Sequence, residues 1–480
     1  MVFRVTAFQL QNQALRFTAQ HNANIFQLQQ QLTSGLKFTR PSQAPLAFRQ
    51  VASIGNKFGQ LQVELGTITS TEAILNSSVS QLTDANDLIN SVSTLVQQGI
   101  QSTDKADAEA LALEAEGILG QLQSLANTQF NGEFIYAGSR TNREPFEFSA
   151  PQILGRSLTV DYLGSNTNGE VRISDRIFVD NYYNGLDIFG RGQREPTVLI
   201  GSTGAQTGTG TDTVESRAYL DVTQGSIDIA GTSGVTLSNQ LENDSLIGQF
   251  QVTLVDTSGT GASGTISING SDPITFDNTQ TNLPVSTPDG QTIYLDTTAI
   301  TPGYSGTFDI VANGFLSIDG GVTQTAIDFS NNQTVSDAAG EFVTIDSSSI
   351  TRTGTDYLEF PGTSDAFQVI QNAISDLRQS RNLSNTQLAE SFDRILGELE
   401  DVRDRFLGAI GQQATSLRTL ENVGLRKDQQ SIELQIQASD IQGTDFSQAA
   451  LELTNAQALL EYSFAVTAQI NSVNILDFLR

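Results

Sequence analysis

The sequence of 480 residues lacks cysteine and tryptophan, and it contains one histidine, one methionine and ten prolines. The absence of cysteine excludes disulfides, thiolate metal sites and cysteine nucleophiles. The single histidine, His21, excludes a metal site built from several histidines and leaves one candidate for imidazole catalysis. No apolar run approaches the roughly 18 residues that a membrane-spanning helix needs. We therefore expect no cofactor, no metal and no membrane partner.

Basic residues are also scarce, since 25 Lys and Arg stand against 53 Asp and Glu, for a formal net charge of −28. Nucleic-acid binding requires a concentrated basic surface, so we expect no nucleic-acid partner. A large charge of one sign keeps subunits soluble until a specific association overcomes the repulsion.

The first residues, MVFRVTAFQLQNQ, lack the apolar region and small-residue cleavage site of a secretory signal. We expect the protein either to remain in the cytosol or to leave by a route that uses no cleaved signal.

The positions of proline divide the chain into three parts. No proline occurs from Leu46 to Glu144 or from Gly362 to Arg480, so both ends permit long helices. Between them, segments such as IGQFQVTLVD, QTIYLD and EFVTID alternate apolar and polar residues and are bounded by Gly, Asn, Asp or Pro, which indicates half-buried strands. We predict one β-rich domain over 145–361, or two divided near 200–215.

Both arms show the heptad spacing of a coiled coil. We predict rod helices over 46–144, with a break near Gly99, and over 362–440. The predicted fold class is α+β, a long antiparallel coiled-coil bundle of the two arms with the β-rich part inserted. The predicted seam consists of Ile54, Leu61, Ile68, Leu75, Leu82, Ile89 and Val96, and of Leu388, Phe392, Ile395, Leu399, Val402 and Phe406.

The two ends, 1–40 and 445–480, are predicted to be further amphipathic helices. Such a helix either docks on its own domain or orders only when neighbouring subunits bury it, and the residues alone favour neither. If neighbours bury it, the ends are mobile in the monomer. The candidate interface residues are Leu10, Ile25, Leu28, Leu32, Leu453, Leu460, Phe464, Ile470, Val473, Leu476, Phe478 and Leu479.

Three stretches resemble the flagellin-like hook-associated proteins. They are TSGLKFTRPSQAP (33–45), NTQFNGEFIYAGSRTNREPF (127–146) and QINSVNILDFLR (469–480). The likeness extends over both arms, about 1–180 and 362–480, and barely touches 200–360. The family turn usually carries two acids where this chain has Gln43 and Ala44, so an ion pair made there in the family is doubtful here. The final Arg480 is more similar to flagellin itself.

The resemblance implies a structural subunit of the bacterial flagellum that joins hook to filament through terminal helices packed between subunits. It implies export through the flagellar type III channel to an extracellular position. The implied partners are copies of the chain in a ring, flagellin, the first hook-associated protein and an export chaperone. The alternatives are flagellin, the filament subunit, and a surface adhesin or binding module built from the β-rich part.

The turn between the first two helices contains two prolines four residues apart. We predict that Pro41 ends the first helix, that Ser42 caps the next one and that Pro45 lies in its first turn. Such a turn is a stiff elbow that presents the terminal helix in one direction.

No catalytic residue is assigned. His21 lies among Gln and Asn residues, which favours a surface histidine over a catalytic base, and no known nucleophile or phosphate-binding motif is present. The acid pairs Glu398/Asp401 and Glu400/Asp404 share a predicted helix with three arginines. We interpret them as a salt-bridged helix flank with Arg394, Arg403 and Arg405.

Overall fold

The computed structural model describes residues 7–102, 104–151, 153, 155–239 and 244–478, with the side chains of 7, 8, 10, 11 and 470–478 left out. Helices form both arms of this described chain, and one five-residue helix lies among the strands between the arms. They are α1 (Ala7–Ser34), α2 (Pro45–Gln101), α3 (Lys105–Ala126), α4 (Gly185–Phe189), α5 (Ala366–Leu377), α6 (Asn385–Gln442) and α7 (Phe446–Phe478).

Strands fill the interval between α3 and α5. The first six are short: β1 (Gln129–Phe130), β2 (Glu133–Phe134), β3 (Phe146–Ser149), β4 (Thr159–Tyr162), β5 (Gly169–Ser174) and β6 (Ile177–Tyr182). The next seven are β7 (Val198–Ile200), β8 (Gln206–Thr207), β9 (Ser216–Ile229), β10 (Thr236–Leu237), β11 (Gly248–Asp256), β12 (Ser263–Ile268) and β13 (Ile274–Asp277). The last seven are β14 (Leu283–Ser286), β15 (Thr292–Asp296), β16 (Ser305–Ser317), β17 (Thr325–Ala326), β18 (Gln333–Ser336), β19 (Phe342–Asp346) and β20 (Gly354–Phe360). The α+β class is confirmed.

The chain separates into two compact units. The first takes the described residues up to Ala73, Arg172–Val179 and those from Leu417 onward. The second takes Ile74–Val171 and Asp180–Ser416. Helices α2 and α6 contribute to both, and each unit is described by itself below.

Within the first unit, α2 runs antiparallel to α6. Ile68 lies beside Gly424, and the Lys427 ammonium is 2.7 Å from a Glu64 carboxylate oxygen. Further along, the Gln62 amide donates a 3.3 Å hydrogen bond to Ser431. The contacting residues of α6 therefore have falling residue numbers as those of α2 rise, which shows that the two helices run in opposite directions.

Within the second unit, α2 and α6 also contact each other. The Cβ position of Gly99 lies 3.5 Å from Phe392, and α5 packs on α3. Eleven of the thirteen predicted seam residues are buried, whereas Ile54 and Leu388 at the ends of the pattern are half-buried. The prediction of an antiparallel coiled-coil bundle is confirmed.

One predicted helix boundary is wrong, and one predicted helix is interrupted. The first rod was expected to reach residue 144, but α3 ends at Ala126. The next residue, Asn127, forms two side-chain hydrogen bonds with the backbone of Phe146. Its amide donates to the Phe146 carbonyl (2.8 Å), and its side-chain oxygen accepts from the Phe146 N–H (3.0 Å). The second rod is interrupted between α5 and α6, where Gln379 and Asn382 have positive φ. Side chains that bond the backbone compete with a continuing helix at such points.

The break near Gly99 is confirmed, because α2 ends at Gln101 and α3 begins at Lys105. Asp104 caps α3 by accepting a 3.0 Å hydrogen bond from the Ala106 N–H. An acidic residue at a helix N-terminus also favours the positive end of the helix dipole.

The longest sheet among the described strands has the order β13-β12-β11-β16-β9-β20-β7, with β17 added beside β16. Its strands pair antiparallel. Two three-stranded sheets, β10-β15-β14 and β18-β19-β8, accompany it. The apolar side chains form two separate cores rather than one, the first around Val252 and Ile293 and the second around Leu220 and Val343.

Among the described residues, no helix combines the length and the apolar character that crossing a membrane requires.

Candidate assembly interface

The terminal helices α1 and α7 form an antiparallel pair within the first unit. The ring of Phe446, the first residue of α7, lies 3.5 Å from the Cβ position of Gly35, which directly follows α1. Farther out, residues between 13 and 21 of α1 and residues between 459 and 466 of α7 line one groove. The two helices therefore contact each other along much of their length.

Five of the predicted interface residues are half-buried in this pair: Ile25, Leu28, Leu32, Leu453 and Leu460. Phe464 is exposed, with 53% of its surface accessible. Leu10, Ile470, Val473, Leu476 and Phe478 lie in the helices, but their side chains fall outside the description, and Leu479 lies outside the described residues.

A second set of apolar side chains on these helices is uncovered. Each has at least half of its surface accessible, and sequence periodicity singled out only Phe464 among them, because a helix paired along one side has two further flanks. The set, called here the terminal apolar surface, is Leu15, Phe17, Phe26, Leu451, Leu459, Tyr462, Phe464 and Val466. Exposed apolar groups in such density mark an interaction site.

Part of this surface forms a shallow groove of about 380 Å³ between the two helices. Phe17 and His21 line it from α1, and Leu459, Tyr462 and Val466 line it from α7. The histidine thus lies in a groove that is lined mainly by apolar side chains.

These helices also carry little charge. Arg16 is the one charged residue of α1 apart from the histidine, and α7 contains Glu452, Glu461 and Asp477. One positive and three negative groups give a net charge of −2 for two helices of a chain whose total is −28. Electrostatic repulsion between copies is therefore weak where the apolar surface is largest.

The links at the base of the pair are bonded to each other. The Lys37 N–H donates to the Gln442 carbonyl (2.7 Å), and the Thr444 N–H donates to the Gly35 carbonyl (2.9 Å). The Gln442 side-chain amide reaches the carbonyl of buried Phe38 at 3.1 Å. The α1–α2 and α6–α7 links thus form one joint, held by backbone hydrogen bonds.

The predicted elbow is corrected in two details. The first helix ends at Ser34, because Gly35 adopts φ +70°, a conformation that glycine reaches without strain; Pro41 lies seven residues past that end. Ser42 does not cap α2, since that helix begins at Pro45 and Ala44 precedes it. Pro45 at the first position of α2 agrees with the prediction.

Gln43 supplies the contact that holds the turn. Its side-chain oxygen accepts hydrogen bonds from the N–H groups of Thr39 (2.7 Å) and Arg40 (3.1 Å). A neutral amide therefore stands where the resembling family has an acid, and it satisfies two backbone donors without an ion pair.

A buried ion cluster joins strands and helices inside the second unit. Arg217 of β9 lies 2.7 Å from Asp376 of α5, and Arg381 contacts the same carboxylate at 2.7 Å. Arg394 of α6 lies 2.6 Å from Glu359 of β20. Burial alone would raise the pKa of Glu359, but the guanidinium groups of Arg217, Arg381 and Arg394 outweigh it and lower the pKa to about 2. We call Arg217, Glu359, Asp376, Arg381 and Arg394 the buried ion cluster.

The interpretation of the α6 acids as a salt-bridged flank is only partly correct. Arg403 does pair with Glu400 (2.7 Å) and, more loosely, with Asp404 (3.7 Å). Arg394 instead joins the buried ion cluster. Burial raises the pKa of Glu398 to about 7, although the Gly362 N–H donates to its carboxylate at 3.1 Å and lowers it. Sequence reasoning missed this cluster because its residues are far apart along the chain.

Two chain ends that fold into an antiparallel helical bundle around inserted β-rich segments define the class of protein. The comparisons with known families agree. Residues 5–141 match the family model of the bacterial flagellin N-terminal helical region, and residues 405–479 match that of the bacterial flagellin C-terminal helical region. In both helical arms the chain is similar to flagellin.

A curated relative is flagellar hook-associated protein 3 of Salmonella typhimurium, 30% identical over 148 residues, which are 30% of this chain and 46% of the relative. The chain thus aligns with about half the length of that relative. Among solved structures, the chain is similar to FlgL of Xanthomonas campestris, 16% identical, over 82% of this chain and 99% of that one, with a TM-score of 0.40. The flagellar junction protein FlgL of Legionella pneumophila is also 16% identical, over 78% and 99% of the two chains, with a TM-score of 0.40.

Proposed function

We propose that the protein is a structural subunit of the bacterial flagellum that joins the hook to the filament. The observation that carries the proposal is the terminal apolar surface on α1 and α7, two weakly charged helices that fall in the matched flagellin regions. The curated relative that shares 148 aligned residues is named a hook-associated protein, which favours the junction over the filament shaft.

In this mechanism, the terminal helices of neighbouring copies pack on one another and bury the terminal apolar surface. Each large apolar side chain that becomes fully buried contributes about 1.5–3 kcal/mol. Part of that is offset by the loss of side-chain and translational freedom, so several such contacts per copy are needed. The bonded joint between 35–38 and 442–444 fixes the direction in which the helix pair leaves the bundle.

The proposed partners are other copies in a ring, flagellin on the filament side, the first hook-associated protein on the hook side, and an export chaperone for the uncovered terminal helices. The subunit leaves the cell through the flagellar type III channel. The domains proposed for this role are the terminal helices at 1–40 and 445–480, mobile in the monomer, and the rod and β-rich parts between them. The role is structural and involves no catalysis.

Immunogold electron microscopy of intact flagella tests the location. An antibody against the β region, residues 198–360, is expected to label one narrow band where hook meets filament. Label along the whole filament would instead identify a flagellin, the second candidate, which the names of the two matched family models favour. Label on the cell body and none on flagella would favour an adhesin.

A C-terminal truncation tests the mechanism. Removing residues 476–480 is expected to abolish attachment of the filament while the β region keeps its thermal transition, because the deletion shortens the terminal helix alone. Normal flagella in a strain that carries this truncation would contradict the proposed mechanism.

A further inference from the structure

The β region contains a segment that occurs twice. PVSTPDGQTIYLDTTAIT (284–301) and TVSDAAGEFVTIDSSSIT (334–351) align without a gap at a separation of fifty residues. The identical pairs are Val285 and Val335, Ser286 and Ser336, Gly290 and Gly340, Asp296 and Asp346, Ile300 and Ile350, and Thr301 and Thr351.

The two segments have the same hydrogen bonds. In the first, the Thr287 N–H donates to the Gln291 carbonyl at 2.8 Å, and in the second the Asp337 N–H donates to Glu341 at 2.9 Å. After the hairpin, Asp296 accepts from the Thr298 N–H at 2.8 Å, and Asp346 accepts from the Ser348 N–H at 3.0 Å. Matching bonds at matching positions indicate one structural unit present twice.

Each segment is also hydrogen-bonded to a loop from elsewhere in the chain, and the two loops are similar in sequence. GTSGV (231–235) precedes β10, which pairs with β15, and GSTGA (201–205) precedes β8, which pairs with β19. The Thr301 N–H donates to Ser233 at 2.9 Å, and the Thr351 N–H donates to Thr203 at 3.0 Å.

A glycine at the same point of both loops is sterically required. A Cβ on Gly234 would lie 2.0 Å from the Ala299 carbonyl oxygen, and one on Gly204 would lie 1.9 Å from that of Ser349. Both glycines have positive φ. The loops therefore approach the repeated segments in the same close geometry.

The order of the strands repeats as well. In the long sheet, β13-β12-β11 is followed by the first part of β16 and the last part of β9. A second series of five strands continues the sheet: β17, the last part of β16, the first part of β9, β20 and β7. Taken in this order, its strands correspond one by one to those of the first series. Each series has its own apolar core.

We propose that the β region consists of two copies of one β module, and that the second is inserted into a hairpin of the first. Copy A takes 198–224 and 314–360, and copy B takes 225–313. Strands β9 and β16 are long because each runs from one copy into the other.

The point of insertion is visible as an irregularity of the sheet. Gln224 pairs with Gly314 and Ile227 pairs with Ala312, and the register shifts between these two pairs. The Cβ position of Gly225 lies 3.3 Å from the Asn313 carbonyl oxygen. The two ends of copy B are thus adjacent, so copy A can close without copy B through the two residues Gly225 and Asn313, a pair suited to a tight hairpin turn.

The copies differ in what covers the sheet face opposite the core. In copy A this face holds Arg217 and Glu359, which are buried against Asp376 of α5 and Arg394 of α6. In copy B the corresponding face is polar and exposed: Gln249, Gln251, Thr253, Thr307 and Asp309. Copy A is therefore fixed to the helices, whereas copy B is an accessory module whose removal leaves those contacts intact.

An excision tests the proposal. In the full chain, residues 226–312 are deleted so that Gly225 is joined to Asn313. The variant is expected to be monomeric by size-exclusion chromatography and to keep a cooperative thermal transition, with residues 334–351 as protected from hydrogen exchange as before. A control deletion of equal length, 233–319, removes the part of β16 that pairs in copy A and is expected to lose that protection. Loss of the transition in the first variant, or folding of both, would overturn the proposal.

Point substitutions test the same idea without a deletion. Val285→Ala and Val335→Ala change equivalent buried positions, one in each core. Each is expected to lower hydrogen-exchange protection about tenfold in its own copy, because a buried methyl pair is lost. Val285→Ala should leave protection of 334–351 unchanged. A fall of equal size in both copies would show a single unit and contradict the duplication.

Discussion

The terminal helices of this chain have an apolar, weakly charged surface, whereas the β region has a polar, strongly acidic one. Helices α1 and α7 together expose the eight side chains of the terminal apolar surface and have a net charge of −2. The β region, 198–360, contains 19 acids and two arginines, a net charge of −17, and Val322 and Phe329 are the large apolar side chains that it exposes among its described residues. A protein with a uniform surface would have neither this concentration of exposed apolar side chains nor this concentration of negative charge.

The difference assigns separate tasks to the two regions. Acidic surfaces repel one another, so the β region keeps copies soluble and resists non-specific association. The apolar, weakly charged helices are unsuited to permanent contact with water and gain free energy when neighbours cover them. Stability comes from elsewhere, namely the coiled-coil seam, the two β cores and the buried ion cluster.

The largest expected effect is loss of assembly from changes on the terminal helices. The double variant Phe17→Asp/Tyr462→Asp should prevent flagellar incorporation, because it places charge in the groove between α1 and α7. Its melting temperature should change little, since these side chains are 51% and 71% exposed. Val322→Asp, at a position 77% exposed in the β region, is the matched control and should assemble normally. Equal loss of assembly in both variants would remove the contrast between the regions.

The next effect concerns stability of the second unit. Asp376→Ala leaves the three arginines of the buried ion cluster with Glu359 as its remaining carboxylate and should lower the free energy of unfolding by about 3–5 kcal/mol. Glu400→Ala removes a surface pair with Arg403 and should cost less than about 1 kcal/mol. Urea unfolding followed by circular dichroism measures both, and similar losses would show that the buried ion cluster has no special role.

A smaller effect depends on pH. The pKa of Glu398 is about 7 in the folded protein and near 4.5 when unfolded, so the folded state binds more protons between these values. Its contribution to stability therefore grows as pH falls from 7 toward 4.5. Glu359 has a folded pKa of about 2, so its contribution is lost as pH falls from 4.5 through 2.

Replacing Glu398 by Gln should remove the first of these trends. The variant is expected to be more stable than the parent at pH 8, by about 1–3 kcal/mol, and to approach it at pH 5. Melting temperatures measured across this range give the comparison. A parallel shift at every pH would show that the carboxyl does not titrate in this window.

The smallest expected effect concerns the base of the terminal helices. Gly35→Ala should destabilise the protein by about 1 kcal/mol, because alanine is strained at φ +70°. Gly397→Ala, in the middle of α6 with open space around its Cβ position, should stabilise it by about 0.5–1 kcal/mol. Chemical denaturation distinguishes the two signs, and the same sign for both would mean that Gly35 does not set the end of α1.

The helical arms could be predicted from the sequence because a heptad repeats one local rule many times, and Leu75, Leu82 and Val96 are fully buried as that rule requires. The end of α1 was mispredicted because Pro41 drew attention from Gly35, the usual residue just past a helix. Seven of the eight residues of the terminal apolar surface were also missed, since periodicity finds the face that pairs inside the chain and not the flanks that remain exposed.

Contacts between residues that are far apart in the sequence could not be predicted from such local patterns. Arg217 and Asp376 lie on different elements, and nothing near either residue signals its partner. The duplicated module is the opposite case. Its repeat at 284–301 and 334–351 is visible in the sequence, but only as a likeness between two segments fifty residues apart, which the alternation within one strand does not reveal.

The central claim is that assembly buries the exposed apolar side chains of the terminal helices and leaves the solvent accessibility of the β region unchanged. Hydroxyl-radical footprinting of the purified monomer and of intact flagella, read by mass spectrometry, tests it directly. We predict that labelling of Phe17, Phe26 and Tyr462 falls strongly in flagella while labelling of Val322 is unchanged. Equal labelling of the three aromatic residues in both states would contradict the account.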